Sequence, residues 1–221
     1  MKSARTSAPF AGRQQGLTLI ELMVTIALVA LLVTISIQSF VTWIRNAQIR
    51  TVTESLQGGL RTAQAEAVRR NRQVVLYFTN DEPSSGVTGT TKCSSAAPVV
   101  GGKRWVLQTI PGLWGEETSG CKNAEYITGG KLSDIASAVS IEPIPSSVSA
   151  VCFNASGRMA TTATGSAGTG VLAACTAAVT TFNVTLLNAD RPLRVVSQLG
   201  GQIRMCDPKR PAVSATSPDG C

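Results

Sequence analysis

A run of 23 residues without a charge, Leu22 to Ile44, constrains this chain more than any other feature. About 20 apolar residues cross a bilayer as a helix, so the run must lie in lipid or in packing equally free of water. One carboxylate, Glu21, stands just ahead of it in GLTLIELMVTIALVALLVTI (residues 16–35), and Gly16 opens that stretch. Lys2, Arg5 and Arg13 precede it without an acid, which predicts a cytoplasmic N-terminus by the positive-inside rule. A secretory signal peptide would be cut after its apolar core. This run is longer than such a core, and no small-residue cleavage site follows it.

The helical pattern continues beyond the run. Ile49, Val52, Leu56, Leu60, Ala63 and Ala67 recur at steps of three and four, which places them on one helical face. Asn71 is a plausible stop before the β-like QVVLYF. Gly58-Gly59 weaken the middle by roughly 1 kcal/mol each relative to alanine, which allows a bend. A helix from Leu17 to Asn71 would be roughly 80 Å long at 1.5 Å per residue. Its first half suits lipid and its second half suits packing on a sheet.

The net charge of +7 suggests a polyanion partner until it is divided along the chain. Residues 1–72 carry almost all of the excess, while residues 73–221 hold eleven bases against ten acids. The later part therefore has little general affinity for nucleic acid. A local exception is 191–210, where Arg191, Arg194, Arg204, Lys209 and Arg210 face only Asp207. The chain has no histidine, which removes imidazole bases, Ser–His and Cys–His pairs and histidine metal sites. The paired acids Asp81-Glu82 and Glu116-Glu117 lie in turn-like segments, and there is no G-x-S-x-G, S-x-x-K or phosphate loop. An enzyme is not expected, nor is a cofactor or a metal.

After the helix, short strands are predicted at 74–79, 104–110, 138–142, 148–154, 180–187, 193–197 and 202–206. Turn-rich stretches separate them, including PGLWGEETSGCKNAEYITGGK and the Gly/Thr/Ser loop TTATGSAGTG. One long helix followed by short strands suggests an α+β fold, with one antiparallel sheet or two on the helix's apolar face.

Three stretches carry a resemblance. GLTLIELMVTIALVALLVTI resembles the N-terminal signature of type IV pilins and type II secretion pseudopilins. LRTAQAEAVRRNRQVVLYF and RVVSQLGGQIRMC are similar to segments of the GspH, FimT and FimU group of minor pilins. The resemblance implies the type IV pilin fold, with a β-sheet or β-sandwich head stapled by disulfides. It also implies cutting after Gly16 by a prepilin peptidase and N-methylation of Leu17. Residues 1–16 would then be a leader, 17–44 the transmembrane or filament-core half of the helix, and 45–221 a periplasmic head. The protein would wait in the bacterial inner membrane before joining other pilins or pseudopilins in a filament. Most relatives have Phe where Leu17 stands, and many have Pro where Gln38 stands, so the usual kink is not expected.

In this scheme Thr18 and Glu21 serve assembly. A carboxylate in the bilayer costs about 2.5–3.5 kcal/mol on insertion scales. Glu21 rises only about 6 Å from Leu17, so it can reach the head groups, or it can pair with the freed amine of Leu17 in its own or a neighbouring subunit. The function implied is a structural minor pilin that initiates or caps a type IV pilus, with a secretion pseudopilin as the alternative. A third reading is DNA binding, because some relatives carry G-R-x-R near the C-terminus. Here the stretch is GQIR, so Arg204 matches the second arginine while Gln202 replaces the first.

Six cysteines, at 93, 121, 152, 175, 206 and 221, all follow the apolar run and form no C-x-x-C pair. Their even count and wide spacing point to disulfides in an oxidising compartment. Fifteen pairings are possible. Neighbours in sequence are favoured: Cys93–Cys121, Cys152–Cys175 and Cys206–Cys221.

Overall fold

The structure is a computed structural model. It describes residues 16–82, 86–87, 92–93, 97–110, 126–161, 174–211 and 219–221, without the side chains of 35–38, 86–87 and 92–93. One helix, α1, spans Leu19–Arg70. The chain divides into two compact units, Met1–Val41 and Thr42–Cys221.

In the first unit the helix presents its apolar side chains outward, and those from Leu17 to Val33 are mostly exposed. Two of its threonines are satisfied locally. The hydroxyls of Thr25 and Thr34 donate to the carbonyls of Leu22 and Leu31, each at 2.8 Å. Such internal bonds are what a helix in an apolar medium requires. The Gln38 side chain lies outside the described residues.

The second unit is built on the rest of the helix. Ile49, Val52, Leu56, Leu60, Ala63 and Ala67 are all at most 1% exposed. The helix ends in a Schellman motif. Arg72 N–H bonds the Ala67 carbonyl, Asn71 N–H bonds that of Val68, and Asn71 adopts φ 52°. Arg69 and Arg70 in the last turn complement the helix dipole.

The strands are β1 (Val74–Thr79), β2 (Gly86–Val87), β3 (Lys92–Cys93), β4 (Arg104–Thr109) and β5 (Tyr126–Lys131). They are followed by β6 (Val139–Ile144), β7 (Ala150–Phe153), β8 (Thr180–Leu186), β9 (Leu193–Ser197) and β10 (Ile203–Cys206). Two four-stranded antiparallel sheets run β5-β4-β1-β7 and β10-β9-β8-β6, beside a small β2-β3 ribbon.

The two larger sheets differ in how they are buried. In the second, β6 alternates strictly between buried and exposed residues, so one face meets the core and the other meets solvent. In the first, every residue of β1 is buried. Val74, Leu76 and Phe78 join the helix core, whereas Val75 and Tyr77 join a second cluster with Val106, Ile110, Cys152 and Cys175. This explains why VVLYFT reads as a continuous apolar run. The sheets meet at Phe78 and Phe182, whose ring centroids lie 5.2 Å apart.

Gly101 and Gly102 form a seam between the sheets. A side chain on Gly101 (φ +65°) would meet the Ile141 carbonyl, and one on Gly102 would press on the backbone of Thr79. No other residue type fits so close an approach.

The sequence reading differs from the structure at β5. Residues 126–131 fall in a stretch expected to be turn-rich, yet they form an edge strand paired with β4. Gly129-Gly130 caused the difference. Their role is to admit Trp105, because a Cβ on Gly130 would sit 2.6 Å from the indole. Glycine inside a strand often marks such contact.

Candidate assembly interface

The residues expected to direct assembly lie at the start of α1. Thr18 is its N-cap: the hydroxyl oxygen accepts the Glu21 N–H at 3.3 Å, and Leu22 N–H bonds the Thr18 carbonyl. The spacing T-x-x-E is that of a capping box, legible in TLIE. Glu21 lies in the first turn, where a negative charge also meets the positive end of the helix dipole. The structure thus gives both residues a local role in starting the helix. Gly16 and Leu17 precede it in non-helical backbone, and among the described residues beyond its chain neighbours nothing lies within 4 Å of where a Gly16 Cβ would stand.

Among the described residues, no single helix is long and apolar enough to cross a membrane. Leu19–Thr34 and Ser39–Arg70, taken together, pass the same test of length and composition.

A polar stripe on the helix, beside the apolar one, holds the second sheet. The Gln64 amide donates to the carbonyls of Gly157 and Gly201, at 2.7 and 3.0 Å. Arg61 reaches the Ile203 carbonyl at 3.4 Å. With its amide oxygen turned towards the sheet, Gln57 accepts from the Met205 N–H and from Arg61, both at 3.2 Å. Positions 57, 61 and 64 thus cap the β10 edge and two turns with side chains. Their spacing was visible in the sequence, but nothing there named the edge they would meet.

The basic residues of 191–210 are dispersed in their engagements. Arg194 and Arg204 share the solvent-side face of β9 and β10, one register step apart, since Arg194 opposes Cys206 and Arg204 opposes Val196. Arg194 donates to Asn183 at 2.7 Å. The Arg204 Nε is buried without a partner among the described residues. Arg210 is tied to Asp219 at 3.0 Å and lies 3.8 Å from Asp207. Lys209 donates to the Asp190 carbonyl at 2.5 Å. Arg191 is exposed, and its backbone N–H is held by Asn46. Gln202 is exposed at the start of β10.

Two disulfides occur among the described residues. Cys152–Cys175 joins β7 to the segment leading into β8, inside the second apolar cluster. Cys206–Cys221 pins the C-terminal residues to β10, beside a bridge of Asp207 with Gly220. The expected Cys93–Cys121 pair lies outside the described residues. Of the acids weighed for catalysis, Glu82 pairs with Arg104 at 3.0 Å and Asp81 accepts from the Ala97 N–H. Both tie down the loop after β1, and Glu116-Glu117 lie outside the described residues. No group of three or more His, Cys, Asp or Glu suited to a metal occurs among the described residues.

One strongly shifted acid lies on the helix. Hydrogen bonds from Arg69 and then Arg70 hold the Glu66 carboxyl down at about 2, against burial, which acts the other way.

With this architecture in view, two family matches apply. Residues 12–37 match the prokaryotic N-terminal methylation motif, and residues 52–201 match the family described as Type II transport protein GspH. The chain belongs to the GspH family and carries the N-terminal methylation motif ahead of it. Solved structures similar to it include the type IV minor pilin FimU of Pseudomonas aeruginosa, at 14% identity, covering 78% of this chain and 96% of that one, with a TM-score of 0.45. The minor pseudopilin EpsH of the type 2 secretion system of Vibrio cholerae is 10% identical, covering 74% and 99%, with a TM-score of 0.43. The solution structure of Escherichia coli GspH is 12% identical, covering 76% and 95%, with a TM-score of 0.42. No curated protein matches the sequence.

Proposed function

We propose that this chain is a structural minor pilin that helps to initiate or cap a type IV pilus. The observation that carries this reading is the capped helix start, Thr18 to Glu21, opening an exposed apolar surface within the methylation motif. A prepilin peptidase cuts after Gly16 and methylates the new amine of Leu17. Residues 17–44 anchor the protein in the bacterial inner membrane, and the head from residue 45 lies in the periplasm. On joining the filament, Glu21 pairs with the Leu17 amine of its own or a neighbouring subunit. That pairing relieves the cost of burying each charge and fixes axial register. The site aligns subunits and performs no chemistry.

The pilus is favoured over secretion by the disulfide-rich head and the R-V-V-S segment at Arg194 to Ser197. The family description, Type II transport protein, favours the second reading, a pseudopilin in protein secretion. Deletion of the gene separates the two. Loss of surface pili and twitching with normal exoprotein release supports the pilus. Intact pili with retained exoproteins overturns it. Gly16→Ala is expected to leave the leader attached, and Glu21→Ala to yield processed protein that fails to enter filaments.

A further inference from the structure

We propose that the β8–β9 turn is a foot by which the head rests on an anionic bilayer surface. The turn is closed by an Ala189 N–H bond to the Leu186 carbonyl, with Asn188 at φ 60°. Tips of surface turns are ordinarily polar, yet this one displays Leu187, which is 76% exposed. Asn46 fixes where the tip lies, because its side-chain oxygen accepts from the backbone N–H groups of both Asp190 and Arg191, at 3.0 and 3.2 Å. Asn46 is only two residues past Ile44, where the uncharged run ends, a rise of about 3 Å. The turn is therefore held at the place where the chain leaves the head for the apolar run. Chain connectivity alone requires this.

The surroundings suit a lipid interface. Trp43, 65% exposed, stands one residue before the end of the uncharged run, where the amphipathic indole is favoured at head-group depth. Arg45 follows the run directly, and Arg191 is exposed beside the turn. Lys209 is bound to the Asp190 carbonyl, which adds a third cation. Asp190 is the only acid in the turn. An apolar tip ringed by cations matches acyl chains beneath anionic phosphates, and a neighbouring protein surface would have no reason to be anionic and apolar in that order.

This inference rests on the reading that the apolar run lies in a bilayer, and the test separates the two. The full chain is reconstituted into vesicles of phosphatidylcholine, with and without phosphatidylglycerol, and flotation reports anchoring. A photo-crosslinking amino acid replaces Leu187 in one variant. In another it replaces Val68, which is also exposed but about 36 Å further along the helix. Lipid adducts are expected at 187 and not at 68. Arg191→Gln is expected to lower the yield about five-fold in phosphatidylglycerol vesicles, as one surface cation contributes, with no change in phosphatidylcholine alone. Flotation with equal adducts at the two positions overturns the foot and leaves anchoring intact. Adducts at 187 to a second protein chain overturn it in favour of a subunit contact. Failure to float removes both readings.

Discussion

The indole of Trp105 lies against Gly59, so that a Cβ on this helix residue would come within 3.0–3.2 Å of three ring carbons. Gly130 of β5 flanks the same ring, leaving it no room to retreat. The indole N–H reaches Ser55 at 3.4 Å. Gly58, one residue earlier, has nothing within 4 Å of its Cβ position. The two glycines should therefore respond oppositely to alanine. Gly58→Ala is expected to stabilise by about 0.5–1 kcal/mol through helix propensity. Gly59→Ala is expected to destabilise by about 1–2 kcal/mol through overpacking. Urea unfolding of both variants checks the signs; equal stabilisation would show that Trp105 can move aside.

Gln64 supports two turns at once. Gln64→Ala leaves the Gly157 and Gly201 carbonyls without their partner, at an expected cost of about 2 kcal/mol. The loss should be local as well as global. The Met159 and Gly201 amides, bonded to Leu199 and Gln198 in those turns, should exchange faster with deuterium while the β1 amides do not.

Glu66 makes stability depend on pH. Its carboxyl titrates near 2 when folded, below its ordinary 4.5, so the folded state binds its proton less readily than the unfolded one. The resulting stability is present above about 4.5 and is lost as pH falls through about 2. Arg69 is largely in solvent, which screens the pair. Glu66→Gln is expected to cost about 1 kcal/mol near neutrality. The gap from wild type should close by about pH 2, as read from denaturant melts at both pH values.

The Cys206–Cys221 bond closes a loop of sequence separation 15. Replacing both with serine should cost about 3 kcal/mol by loop-closure entropy. It should also free the Arg210–Asp219 pair, detectable as early proteolysis of the tail ahead of the head. Simultaneous digestion of both would mean that the tail supports the core.

DNA binding is expected to be absent at physiological salt, since Arg210 is paired with Asp219 and Gln202 replaces an arginine of the pattern. A gel shift of the detergent-held chain tests this. A salt-sensitive shift that disappears in Arg204→Ala would establish the opposite.

Much of the fold was legible because its signals are periodic. Ile49 to Ala67 announce one buried helical face, and Asn71 announces the end of it. The alternation in TFNVTLL and the solid run in VVLYFT separate a sheet buried on one face from one buried on two. What stayed hidden depends on contacts between distant segments. Gly129-Gly130 read as a turn because sequence shows glycine's freedom and not the indole that needs its missing side chain. The contacts of Gln57, Arg61 and Gln64 stayed hidden for a similar reason: a polar side chain does not reveal which backbone group it will serve. At the candidate assembly site, T-x-x-E was visible as an N-terminal signature, and its hydrogen bond shows the pair capping the helix.

The stripe of Gln57, Arg61 and Gln64 has a consequence for solubility. A bare terminal strand offers a ladder of donors and acceptors on which another chain can stack, and crowding turns that offer into fibrils. Here a helix laid along β10 occupies part of that ladder with amide and guanidinium groups, which are too irregular to be copied by a passing strand. Heads brought together at high concentration can then collide without sticking edge to edge.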